Sequence, residues 1–193
     1  MRHVSSEERF WQWFQQNSER LFRFESDQEK VFDEIESALG QVKEGLMFEF
    51  GPIEEGKRVF VVSADGIRDH FEAVRSLVAV APAMPGWEIV PFRPPASVEL
   101  VINYGGHDLG PDDVLFKAEP DRGRIGLTLF IKGLTAETKD ALRTASFILL
   151  DNALGEFVVE TQVGFIERKP LSDATPEARP FRSILEVFDG CVQ

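Results

Sequence analysis

Three histidines, one cysteine and no Gly-x-Ser-x-Gly elbow leave this chain of 193 residues few routes to acid–base or nucleophilic chemistry. The densest polar string is Tyr104-Gly105-Gly106-His107-Asp108, a strand end running into a glycine turn. His107 beside Asp108 sets an imidazole base next to a carboxylate able to orient it, which makes these two the candidate catalytic residues. Neighbours in sequence aim their side chains apart, so the string reads more readily as a turn shaped by glycines with a solvated His107. Asp65, Asp69 and His70, with Glu72 nearby, offer oxygen and imidazole ligands as a weaker metal alternative. Their spacing matches neither His-Glu-x-x-His nor the EF-hand loop, and Asp65 and Asp69 serve as well as turn and first-turn helix residues. No metal and no cofactor is expected. His3 belongs to no cluster, and Cys191 carries no motif that would make it a nucleophile. Gly105-Gly106 and Gly110 match neither nucleotide fingerprint. Basic pairs such as Lys57-Arg58 and Arg168-Lys169 read as solvated surface charges.

The most distinctive string is Phe10-Trp11-Gln12-Trp13-Phe14. Four aromatics in five helical positions wrap around the helix, with Trp11 and Trp13 pointing nearly opposite ways. Aromatics dominate binding hot spots, so Trp11, Trp13 and the later Trp87 are the candidate binding residues. The competing reading is structural: large cores absorb such rings, and 17 Phe against one Tyr describe a dry aromatic core.

The elements that must position these residues follow from spacing. Ser5 with Glu8 and Ser26 with Glu29 match the capping box and predict two opening helices within 5–43. Leu46, Phe48 and Phe50 alternate as a strand, Lys57 to Ala64 form a second, and Asp65-Gly66 break it. A helix bearing Phe71, Val74 and Leu77 ends at Pro82 and Pro85, and Trp87 to Phe92 return to extended structure. Pro91 confines that strand to an edge or a bulge. Val98 to Tyr104 predict a linking strand. Val114 to Glu119 and Arg124 to Lys132 then form a second strand pair, broken at Gly133. Thr135 is the expected N-cap of a helix running to about Asn152, and Phe157 to Phe165 alternate as a strand. Residues 169–190 read as a proline-rich loop followed by a short helix with Phe181, Ile184, Leu185 and Phe188.

Strand–strand–helix–strand therefore occurs twice, with an offset of 67 if Gly66 is matched to Gly133. Identities at that offset are poor, so the repeat is one of architecture. The predicted class is α+β: a two-layer, mixed and largely antiparallel sheet with helices on one face. Two ββαβ-like halves, 46–92 and 113–167, follow the two N-terminal helices. No flexible Gly/Ser linker marks a boundary, so 1–193 is expected to be a single domain.

Subtracting 33 acidic from 21 basic side chains leaves a net charge of −12. Nucleic acid and anionic membrane surfaces repel such a chain, so neither is an expected partner. The polar opening Met1 to Glu8 lacks a signal peptide's apolar core, no apolar run reaches membrane-spanning length, and a cytoplasmic location is expected. The Phe-Trp-x-Trp-Phe opening, the Val59 to Gly66 run and Trp87 resemble a group of uncharacterised bacterial cytoplasmic proteins over most of the chain. The resemblance implies a bacterial source and, as that group has no assigned activity, it assigns no functional residue. The expected function is a non-enzymatic binding or regulatory role through an acidic or aromatic surface. Its partner would be a protein with a basic patch, or a second copy paired along the strand of Trp87. The alternative is a small hydrolase or ligand-binding enzyme using His107, Asp108 and carboxylates such as Asp65.

Overall fold

The computed structural model describes residues 4–189. The protein is an α+β fold whose chain divides into two compact units, Met1–Arg93 and Pro94–Gln193, where the sequence predicts one domain. The boundary falls at Arg93-Pro94, a dipeptide without the Gly/Ser composition that marks a flexible linker.

In the first unit, α1 (Ser6–Phe22) opens on the predicted capping box. The Ser5 hydroxyl accepts from the Glu8 amide at 3.1 Å, and the Glu8 carboxylate accepts from the Ser5 amide at 3.0 Å. The second predicted box does not form. Ser26 ends a 3-10 turn, Phe24–Ser26, its hydroxyl donating back to the Arg23 carbonyl, and α2 (Gln28–Gly40) begins after Asp27 without a side-chain cap. The reason is packing: Phe24 stacks on Phe50 with centroids 4.4 Å apart, and that contact holds the turn.

Strands β1 (Met47–Glu54) and β2 (Lys57–Ser63) form an antiparallel hairpin around Glu55 and Gly56, both at positive φ. Their register shifts between Phe50 and Ile53, across Gly51-Pro52. A Cβ at Gly51 would stand 2.8 Å from the Val59 Cβ, so only glycine admits this approach. Helix α3 (Phe71–Ala79) carries the chain to β3 (Trp87–Pro91), which lies parallel to β2 at the sheet edge, as Pro91 requires. Phe60 is the hub of the core, its ring 4.8 Å from Phe14, 5.5 Å from Phe50 and 5.9 Å from Phe48.

The second unit begins with the hairpin of β4 (Ile102–Tyr104) and β5 (His107–Leu109), much shorter than the linking strand expected from Val98 onward. It turns at Gly105 and Gly106, and a Cβ at Gly105 would meet Ala141 of the following helix at 3.0 Å. Next come β6 (Val114–Asp121) and β7 (Arg124–Ile131), an antiparallel pair. Helix α4 starts at Lys139 rather than near Thr135 and runs to Leu154. Thr135 instead donates its amide to Thr138 Oγ1, whose hydroxyl donates to the Gly133 carbonyl.

Beyond Gly155, at φ 81°, the chain forms α5 (Glu156–Gln162), where alternation predicts a strand. The apolar residues of so short a segment suit either period, and burial of the adjacent Val158 and Val159 on one helix face decides it. Strand β8 (Val163–Pro170) then pairs parallel to β7, and β9 (Arg179–Pro180) adds to β6, giving the order β8-β7-β6-β9. The predicted terminal helix is a 3-10 segment, Phe181–Val187, that buries Phe181 and Ile184, with Phe188 buried just after it. Gly190, its predicted stop, lies outside the described residues.

Both halves run hairpin, helix and a last strand parallel to the second, as predicted, but the second half inserts α5 between α4 and that strand. Gly66 and Gly133, matched by offset, both follow the second strand at positive φ, 70° and 74°. The halves sit in separate sheets.

Candidate functional site

His107 and Asp108 are consecutive on β5 and therefore project to opposite sides of the hairpin. The Asp108 carboxylate accepts from the Asn103 amide at 2.6 Å, across the hairpin and away from the imidazole. The orienting contact that a His–Asp pair needs is thus made with Asn103, and the string serves the turn.

Asp65 occupies a turn at φ 52°, its amide bonded to the Ser63 hydroxyl and its carboxylate 3.4 Å from Arg93 Nη1. Asp69 and His70 lie in the 3-10 turn Arg68–His70 that leads into α3. Among the described residues no three His, Cys, Asp or Glu side chains gather closely enough to hold a metal ion, so Asp65, Asp69 and His70 do not converge on one. The His70 Nδ1 is buried without a partner, its ring pressed against Gly45. His3 and Cys191 lie outside the described residues.

The three tryptophans separate clearly. Trp11, 2 % exposed, donates its indole N–H to the Leu77 carbonyl at 2.7 Å. Trp87, 6 % exposed, donates to the Ser18 hydroxyl at 2.8 Å. Both offer no surface to a partner and belong to the core, satisfied as buried indoles usually are. Trp13 differs: it is half-buried, its ring 6.0 Å from that of Phe10. It lines a groove of about 380 Å³ between α1 and α2, shared with Arg9, Phe10, Asp33, Glu34 and Gln41.

The charges around this groove have distinct fates. Arg9 donates to the Val4 carbonyl at 2.8 Å, and Glu34 is paired with Arg20. Asp33, exposed on α2, has no ion-pair or hydrogen-bond partner among the described residues. The groove thus presents an aromatic wall beside a carboxylate that no ion pair meets, with the Arg9 guanidinium, whose charge also acts on Glu7, in the same lining. Next to it, at the start of α1, the Glu7 carboxyl is held below its ordinary range by its own backbone amide first, and then by Ser5.

Two arginines taken from sequence as solvated charges are not. Arg58 is 6 % exposed, its guanidinium 4.7 Å from the Phe24 centroid and 5.4 Å from that of Phe22, and 2.5 Å from the Glu25 carboxylate. Arg168 is half-buried, donating from Nε to the Ser146 hydroxyl at 2.8 Å and from Nη1 to the Ile166 carbonyl at 3.3 Å. The signal for both was strand parity: Arg58 shares a strand face with Phe60 and Val62, and Arg168 shares one with Ile166. Arg182, by contrast, does structural work in the open. It donates from Nε to both Glu99 oxygens, at 2.9 and 2.8 Å, and from its Nη atoms to Asp112. Arg182 holds the Asp112 carboxyl below its ordinary value, and Asp112 and Glu99 raise the guanidinium in return.

No helix among the described residues is long and apolar enough to cross a membrane. Comparison with protein-family models, curated proteins and solved structures finds no match for the chain.

Proposed function

We propose that this is a non-enzymatic binding protein whose first unit takes a basic segment of a partner protein into the groove between α1 and α2. The observation that carries the reading is Trp13: of the three tryptophans it alone presents ring surface, and it does so in the groove that the unpaired Asp33 carboxylate borders. An Arg or Lys side chain laid on an indole face gains about 0.5–1 kcal/mol at an exposed site and more when water is excluded. A carboxylate at the rim adds charge complementarity, and the overall charge of −12 speeds the encounter of a basic partner. Phe10, buried beneath Trp13, fixes the floor so that little ordering is needed on binding.

Titration calorimetry with a short peptide alternating Arg and Leu measures affinity in wild type and variants and tests the proposal, with tryptophan emission as a second signal for the wild type alone. Trp11 and Trp87 are sealed in the core, so the change in emission reports chiefly on Trp13. Trp13→Ala is expected to weaken binding about tenfold or more, the loss of one aromatic hot spot. Asp33→Asn is expected to weaken it less and to flatten its salt dependence. Equal affinity of wild type and Trp13→Ala would overturn the assignment.

A further inference from the structure

The second unit holds a pocket of about 280 Å³ where the start of α4 meets the end of β8. Three cations line it, Lys139 and Arg143 one turn apart on α4 and Arg168 from β8, together with Leu134, Ala136 and Pro170. No carboxylate lines the pocket, and none pairs with any of the three cations among the described residues. In a chain with 33 acidic residues against 21 basic ones, three neighbouring cations without a counter-charge are the reverse of what composition delivers.

Their placement is also locally unfavourable. Lys139 and Arg143 stand in the first turns of a 16-residue helix, where the macrodipole disfavours positive charge, and Asp140 alone in the first turn opposes them. Arg168 is partly desolvated, and its bonds to Ser146 and Ile166 are to neutral oxygens that fix the guanidinium plane without discharging it. Burial first, and then the nearby Arg143 charge, push the Arg168 guanidinium below its ordinary value. Cations kept together against local electrostatics mark a place where sequence serves something other than the fold.

We propose that this pocket binds the phosphate group of a small organic phosphate ester, with the ester's carbon part resting on Leu134, Ala136 and Pro170. The charge decides between anions: three cations overmatch a single carboxylate and suit a phosphate near −2. The oriented guanidinium of Arg168 supplies planar donors, and Arg143 and Lys139 supply charge that can move to meet the ligand. The volume holds a phosphate and a ring or short chain, and no more. This site is independent of the groove in the first unit.

Phenyl phosphate, benzoate and inorganic phosphate, titrated separately into the full chain and followed by backbone amide shifts, test the assignment. Phenyl phosphate is expected to saturate with shifts at residues 134–143 and 166–170, at a dissociation constant below about 1 mM. Inorganic phosphate should bind the same residues about tenfold more weakly, for want of the apolar contact, and benzoate more weakly still. Arg143 is exposed, so Arg143→Gln keeps the fold and should weaken phenyl phosphate by about five- to tenfold, with Lys139→Gln close behind. Benzoate binding as well as phenyl phosphate, undiminished binding in Arg143→Gln, or no saturable shift at about 10 mM ligand would each overturn it.

Discussion

Arg58 and Arg168 both project from strands into partly or fully dry surroundings, one in each unit, and their charges are answered differently. Arg58 lies against the rings of Phe22, Phe24 and Phe50 with Glu25 beside it, so its charge is met within the first unit. Arg168 is met by a hydroxyl and a carbonyl, with another cation nearby and no acid. The cores differ in the same sense. Around Phe60 the first unit stacks rings, whereas the second fills its core mainly with Leu, Val, Ile and Ala, including Leu127, Leu129, Leu142 and Leu149. One ββαβ frame thus carries two chemistries. The frame depends on hairpin turns, a glycine after the second strand and a helix of crossover length, and it leaves the outward residues free to differ.

Substitutions can break or sharpen this contrast. The largest effect is expected at the hub of the ring core: Phe60→Ala should cost about 3–5 kcal/mol, and amide exchange should place the lost protection in β1 to β3. A loss under about 1 kcal/mol would mean that the rings are interchangeable and the core has no hub. Arg58→Met comes next. It keeps the bulk, removes the cation's contact with the three rings and the pairing with Glu25, and should cost about 2 kcal/mol in denaturant unfolding.

Helix starts give a smaller contrast. α1 begins with a complete capping box, whereas α4 begins after Thr138 with no side-chain cap. Ser5→Ala should therefore cost about 1 kcal/mol. The smallest effect is the most informative: Arg168→Met should change stability by less than about 0.5 kcal/mol or raise it, because a partly buried cation with a like-charged neighbour leaves. If Arg168→Met costs as much as Arg58→Met, then Arg168 is a structural residue like its counterpart and the contrast fails.

Much of this architecture was legible from side-chain period. The Ser5–Glu8 box, the two hairpins, the break at Gly66 and Gly133 and the edge position forced by Pro91 all have local causes, and local causes can be read along a chain. Elements decided by distant packing were not. Phe157 to Gln162 alternate, yet Val158 and Val159 share a buried helix face; Ser26 has the spacing of a cap, yet the stacking of Phe24 on Phe50 takes its segment elsewhere. The site divides along the same line. The aromatic string announces exposed ring surface, but only the fold selects Trp13 and buries Trp11 and Trp87. Lys139, Arg143 and Arg168 are separated by 29 positions between first and last, and nothing local relates them.

One experiment addresses the proposed contrast, in which the first unit takes a basic partner and the second an anionic ligand. The isotope-labelled full chain would be titrated with the Arg-Leu peptide and, in a separate sample, with phenyl phosphate, and the shifted amides mapped for each. The predicted result is two disjoint sets, the peptide moving residues of α1 and α2 around Trp13 and Asp33, and the phosphate ester moving residues 134–143 and 166–170. Coincident sets, or a peptide that leaves α1 and α2 unshifted, would contradict the account.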